Sequence, residues 1–119
     1  MLSTADKRTA DDVSTALTAK YFRALGDPTR LRILELLMDG ALTVTELTQI
    51  LRVPQSSVSN HLACLRWCGF VSSESRGKWT HYAVSDPKIR TIVECGRELV
   101  NANAEHVAAC TRIASTDRS

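Results

Sequence analysis

Turn residues cut this chain at short intervals, at Gly26-Asp27-Pro28, Asp39-Gly40, Val53-Pro54, Gly69 and Arg76-Gly77-Lys78. That punctuation limits its first two thirds to helices of a few turns each, followed by a tight hairpin. Between the breaks the apolar residues recur with helical period. Residues 13–25 carry Val13, Ala16, Leu17, Tyr21, Phe22, Ala24 and Leu25 on a broad face, and Gly26 ends the segment. Asp27 caps a second helix with Pro28 at its first position, where the missing amide costs nothing. Leu31, Ile33, Leu34, Leu36, Leu37 and Met38 form its core side.

Thr43 followed by Glu46 is a capping-box pattern for a short helix through Leu47, Ile50 and Leu51, which Val53-Pro54 breaks. A further helix over 55–68 has Val58, Leu62 and Leu65 as its inward stripe. After Gly69, FVSSES and WTHYAV alternate about a basic tip and predict a β-hairpin. Pro87 opens a last helix whose apolar positions run through Ile89, Ile92, Val93, Leu99, Val100, Ala104, Val107 and Ala108. These exceed what one small core needs, so part of that face, with Tyr21, Phe22, Leu99 and Val100, is expected to pack on a second subunit.

The expected fold is therefore mainly α with a small β-hairpin, a winged helix-turn-helix. Residues 1–12 read as a flexible segment, 13–108 as the DNA-binding and dimerisation domain, and 109–119 as a tail. Hydrophobic residues make up 44% of the 119, enough for one domain core but not two. The polar start lacks the apolar run of a signal peptide, and no stretch approaches the length of a bilayer span, so a cytoplasmic location is expected. A net charge of +2 does not by itself announce nucleic acid. The local distribution carries that argument.

Gln55, Ser56, Ser57, Ser59, Asn60 and His61 occupy the first two turns of the 55–68 helix, and all bear short hydrogen-bonding groups suited to base edges or phosphates. Arg76 and Lys78 at the hairpin tip suit phosphates or a minor groove. Each feature alone also fits a plain capping region or a solvated turn. Their order is what points to double-stranded DNA.

The segments AKYFRALGDPTRLRILELL, TELTQIL, PQSSVSNHLACLRWCGFV and RGKWTHYAV resemble the ArsR/SmtB family of metal-sensing repressors over roughly residues 17–108. The resemblance implies a homodimer joined through its first and last helices, bound to an inverted-repeat operator and released by a ligand. One metal site of the family, with cysteines at the start of the second motif helix, is absent here, where the stretch is LTVTEL. Asp86, Glu94, Glu105 and His106 do not reproduce the spacing of another, on the last helix.

Cys64 and Cys68 remain, four residues apart and so on one helical face with sulfurs able to share an ion. The CLRxC arrangement is similar to the cadmium- and lead-sensing branch, which implies Cys110 as a third thiolate, contributed in that branch by the other subunit. Three thiolates suit Cd²⁺, Pb²⁺ or Hg²⁺ better than structural Zn²⁺, which prefers four ligands. Cu⁺ and As(III) stay open. Cysteine is also a small core hydrophobe, the reading preferred for Cys95. His81 fits the wing strand and His106 a solvated face. Two other functions share the fold: a repressor switched by thiol oxidation, and a DNA-binding repressor with inert cysteines. No grouping of catalytic side chains is evident.

Overall fold

A computed structural model describes residues 4–110, with side chains from Thr9 onward. Helix α1 (Thr4–Leu25) leads through Gly26 into α2 (Pro28–Leu37), followed by strand β1 (Leu42–Thr43), α3 (Val44–Leu51) and α4 (Gln55–Trp67). Strands β2 (Val71–Arg76) and β3 (Trp79–Val84) precede α5 (Pro87–Ala102) and α6 (Ala104–Ala109). The arrangement is a winged helix-turn-helix, as expected from the sequence. No described helix is long and apolar enough to cross a membrane.

The expected caps form. Asp27 accepts a hydrogen bond from the Arg30 amide at 3.0 Å. The capping box of α3 is complete: the Glu46 amide donates to Thr43 Oγ1 at 3.2 Å and the Thr43 amide to Glu46 Oε1 at 3.0 Å. The bond from the Thr43 amide, with help from the Thr43 side chain, lowers the Glu46 carboxyl pKa. Thr43 is also buried. Thr43→Ala is therefore expected to cost about 1 kcal/mol, read as a lower urea midpoint; an unchanged midpoint counts against the cap. Arg52, left-handed at φ 56°, makes the turn that swings the chain from α3 into α4.

Helix α4 ends in a Schellman motif: the Phe70 amide bonds the Leu65 carbonyl at 2.8 Å and the Gly69 amide the Arg66 carbonyl at 3.1 Å. Gly69, at φ +84°, supplies the left-handed residue the motif requires. The motif drops Phe70 into the core beside Leu65, where Ile33, Leu34, Leu37, Leu47, Val58, Leu62, Val71 and Ile89 also pack. Tyr21 stacks on Phe70 with ring centroids 4.1 Å apart.

Three expectations change. Helix α1 begins at Thr4, not Val13, because the polar turns ahead of the first apolar residue contain no Gly or Pro to stop it. The sheet has a third strand, since β1 pairs with β3 (Leu42↔Tyr82, Thr43↔His81) to give the order β1-β3-β2. The single last helix breaks at Asn103, whose side-chain amide donates to the Leu99 carbonyl at 3.1 Å, a local bond that competes with helix continuation. Tyr21, expected at a subunit interface, is half-buried and packs against its own subunit's core. The tail expected over 109–119 lies, beyond Cys110, outside the described residues.

Candidate nucleic-acid interface and thiol pair

The faces of α4 separate cleanly by helical period. Val58, Leu62 and Leu65 are buried. Gln55, Ser56, Ser59, Asn60, Ala63, Arg66 and Trp67 are exposed along the opposite side. Ser57, His61, Cys64 and Cys68 make a half-buried flank between the two. Of the six helix residues expected to meet DNA, Gln55, Ser56, Ser59 and Asn60 thus share the outward face. Ser57 and His61 are turned aside, and His61 Nε2 lies 4.0 Å from Asp27 Oδ1 at the start of α2. The first turn of α4 holds no acidic residue and the helix has no side-chain cap, so its positive end is available to an anion.

At the wing, β2 and β3 pair from Val71↔Val84 to Arg76↔Trp79, and the two-residue link Gly77-Lys78, with Gly77 at φ +62°, follows a type II′ turn. Lys78 and Arg76 are both exposed. The Lys78 ammonium stands 5.7 Å from the Trp79 ring centre. Arg76 touches Glu74 at 3.4 Å, a surface pair worth too little to withhold the guanidinium from a phosphate. Arg66 and Trp67 were not among the residues expected to meet DNA, although continuing the Ser59/Asn60 spacing by two turns reaches them.

Cys64 and Cys68 sit one helical turn apart on the half-buried flank of α4, both as free thiols. Burial pushes the Cys68 thiol above its ordinary pKa, and the neighbouring Cys64 raises it further, partly offset by Lys20 and Arg30. The pair puts two sulfurs on one flank of the helix. Cys110 is exposed at the end of α6, and Cys95 is exposed on α5. Among the described residues no three His, Cys, Asp or Glu side chains come together as a metal-binding group. Within one subunit, then, Cys110 does not complete the set. Asp86, set aside as a ligand, caps α5 by accepting from the Lys88 amide at 2.8 Å.

Large apolar side chains crowd the outer faces of the first and last helices: Leu17 is 62% exposed, Phe22 51%, Leu99 67% and Val100 47%. Phe22, Leu25, Leu31, Val93 and Val100 line an apolar groove of about 460 Å³ where α1, α2 and α5 meet. Arg97 ion-pairs with Glu35, and Arg90 donates to the Met38 carbonyl, both links joining α5 to the end of α2.

Residues 27–73, from the cap of α2 into β2, match the family described as bacterial regulatory protein, arsR family. The probable mercury resistance operon repressor of Streptomyces lividans is 43% identical over 96 residues, covering 81% of this chain and 77% of that protein. The HTH-type transcriptional regulator CmtR of Mycobacterium tuberculosis is 38% identical over 98 residues, covering 82% and 83% respectively. The solution structure of a homodimeric winged helix-turn-helix DNA-binding domain from Mycobacterium bovis shares the fold at TM-score 0.77 and 22% identity, covering 89% of this chain and 95% of that one.

Proposed function

This chain belongs to the arsR family of bacterial regulatory proteins, and from that premise we propose that it is a repressor whose homodimer leaves its operator when cysteine thiolates bind a thiophilic metal ion. The family consists of DNA-binding transcriptional regulators, not enzymes, and the relatives named above include a mercury resistance repressor. The observation that carries the finer reading is the pair of half-buried free cysteines, Cys64 and Cys68, on the flank of α4, one helical face away from Gln55, Ser56, Ser59 and Asn60.

In this reading the outward residues of α4 meet an inverted-repeat operator in the major groove, with Arg76 and Lys78 on its backbone. Phe22, Leu99 and Val100 are covered by the second subunit, which in the cytoplasmic dimer also supplies Cys110 to the Cys64–Cys68 pair. Such a three-thiolate set suits Cd²⁺, Pb²⁺ or Hg²⁺. The thiolates bind the ion, and α4 is held through Cys64 and Cys68 in an orientation less suited to the groove. Release follows only if the ion binds the DNA-free form more tightly.

The raised Cys68 thiol counts against Cys68 as the attacking thiol of a redox switch, which needs a lowered pKa and a standing thiolate population. It also sets a pH dependence. Each thiol must lose its proton to bind, so below the raised Cys68 pKa the apparent affinity for Cd²⁺ is expected to climb between pH 6 and 8, by about tenfold per unit for each proton displaced. Competition titrations at the two pH values check it; equal affinities would contradict thiolate ligation at Cys68.

The whole proposal is tested by selecting a tight duplex from a random pool and adding Cd²⁺, Pb²⁺ or Hg²⁺ to the reduced complex. Dissociation near one ion per subunit is expected. A complex indifferent to all three ions, but dissolved by mild oxidant, would replace the metal reading with the redox one.

A further inference from the structure

Trp67 is 89% exposed, an unusual place for so large an apolar side chain unless something covers it. It closes α4 beside Arg66, and with Ser59 and Tyr82 of β3 these residues line a groove of about 460 Å³ between the helix and the wing. The groove is continuous with the outward face that carries Ser59 and Asn60. We infer that this groove takes one sugar-phosphate strand of duplex DNA, with the Arg66 guanidinium on a phosphate and the Trp67 indole packed on the sugars. The inference rests on the DNA-binding face described above and extends it.

Dimensions support that occupant over a base contact. At about 1.5 Å per residue, Trp67 stands about 18 Å along the axis from Gln55. The major groove is about 12 Å wide. If α4 enters the groove by its N-terminal end, so that its first turns reach base edges, its last turn stands outside the groove, beside a backbone strand. Charge agrees as well, since Arg66 is the basic residue of the last turn and the far wall of the groove leads along β3 to Lys78.

Cys64 and Cys68 enclose Arg66 and Trp67 within a single turn. A displacement of Cys68 is therefore passed directly to the residues of this backbone contact. Under the proposed function, that is the path by which filling the thiol site weakens DNA binding.

The chain has two tryptophans, so Trp79→Phe leaves Trp67 as the sole indole. The experiment follows acrylamide quenching of that variant with and without a saturating random-sequence duplex at low salt. Anisotropy titrations of wild type, Arg66→Gln and Trp67→Ala across salt concentrations complete it. The expected results are protection of Trp67 by DNA, a salt slope lowered by about one for Arg66→Gln, and about tenfold weaker binding for Trp67→Ala with an unaltered circular dichroism spectrum. Trp67 still open to acrylamide in the saturated complex overturns the inference while leaving the DNA-binding face intact. Protection that grows with protein concentration alone, before DNA is added, assigns the groove to a second copy and overturns it too. If wild type itself fails to bind the duplex, the DNA reading and this extension of it both fall.

Discussion

Serine at position 64 or 68 is expected to abolish the ultraviolet thiolate-to-metal absorption that one equivalent of Cd²⁺, Pb²⁺ or Hg²⁺ produces. Losing a supporting partner around a metal site already costs about 10–100-fold in affinity, so loss of a direct ligand should cost at least about 100-fold. Cys110→Ser should do the same, whereas Cys95→Ser should leave the absorption intact, because Cys95 projects from α5 with no thiol partner among the described residues. The described residues leave Cys110 outside any three-ligand group of its own subunit, and that separates two geometries. When Cys64→Ser and Cys110→Ser subunits are mixed, a site shared between subunits regains one intact ligand set per heterodimer. A site closed within each subunit regains none. Recovery of absorption on mixing is the expected result; absorption lost in both parents and still absent in the mixture would place all three ligands in one chain.

Phe70→Ala is expected to be the most damaging single change to the fold. Its side chain is fully buried, stacks on Tyr21 and closes the Schellman motif against Leu65. Removing such a ring costs about 3–5 kcal/mol through lost transfer energy and the cavity left behind. A domain of this size has about 5–15 kcal/mol in total. With about 4–8 °C of melting temperature per kcal/mol, the fall should be about 12–40 °C. Because Phe70 directly follows the hinge at Gly69, the end of α4 that carries Cys68 should loosen as well. Thermal melts at fixed protein concentration test this, since dimerisation makes the midpoint depend on concentration. A loss below 1 kcal/mol would mean that the Tyr21–Phe70 stack is not part of the core that holds α1 to the rest.

The helix-turn-helix was legible because its determinants are local. A cap such as Thr43 with Glu46, a stop such as Gly69 and a stripe such as Val58, Leu62 and Leu65 act over three to seven residues, and each left its pattern in the chain. The hairpin was legible for the same reason, with Gly77-Lys78 matching the turn that right-twisted strands need. The two-residue strand β1 was not, because its pairing with Tyr82 and His81 joins residues about forty apart and leaves no periodic trace. The break at Asn103 was hidden in a similar way. Its amide could equally have faced water.

For the site, residue types at helical spacing determined which side chains share a face: Gln55, Ser56, Ser59 and Asn60 on one, Cys64 with Cys68 on another. That knowledge came from the sequence alone, together with the resemblance that pointed to Cys110. Tertiary structure decided what each face meets. It turned His61 toward Asp27, spent Tyr21 on Phe70 while leaving Phe22 exposed, and brought Tyr82 of the wing across from Trp67. The physical reason is that helical period sets directions around an axis, whereas the neighbours found in those directions depend on how distant segments pack, and packing is a property of the whole core.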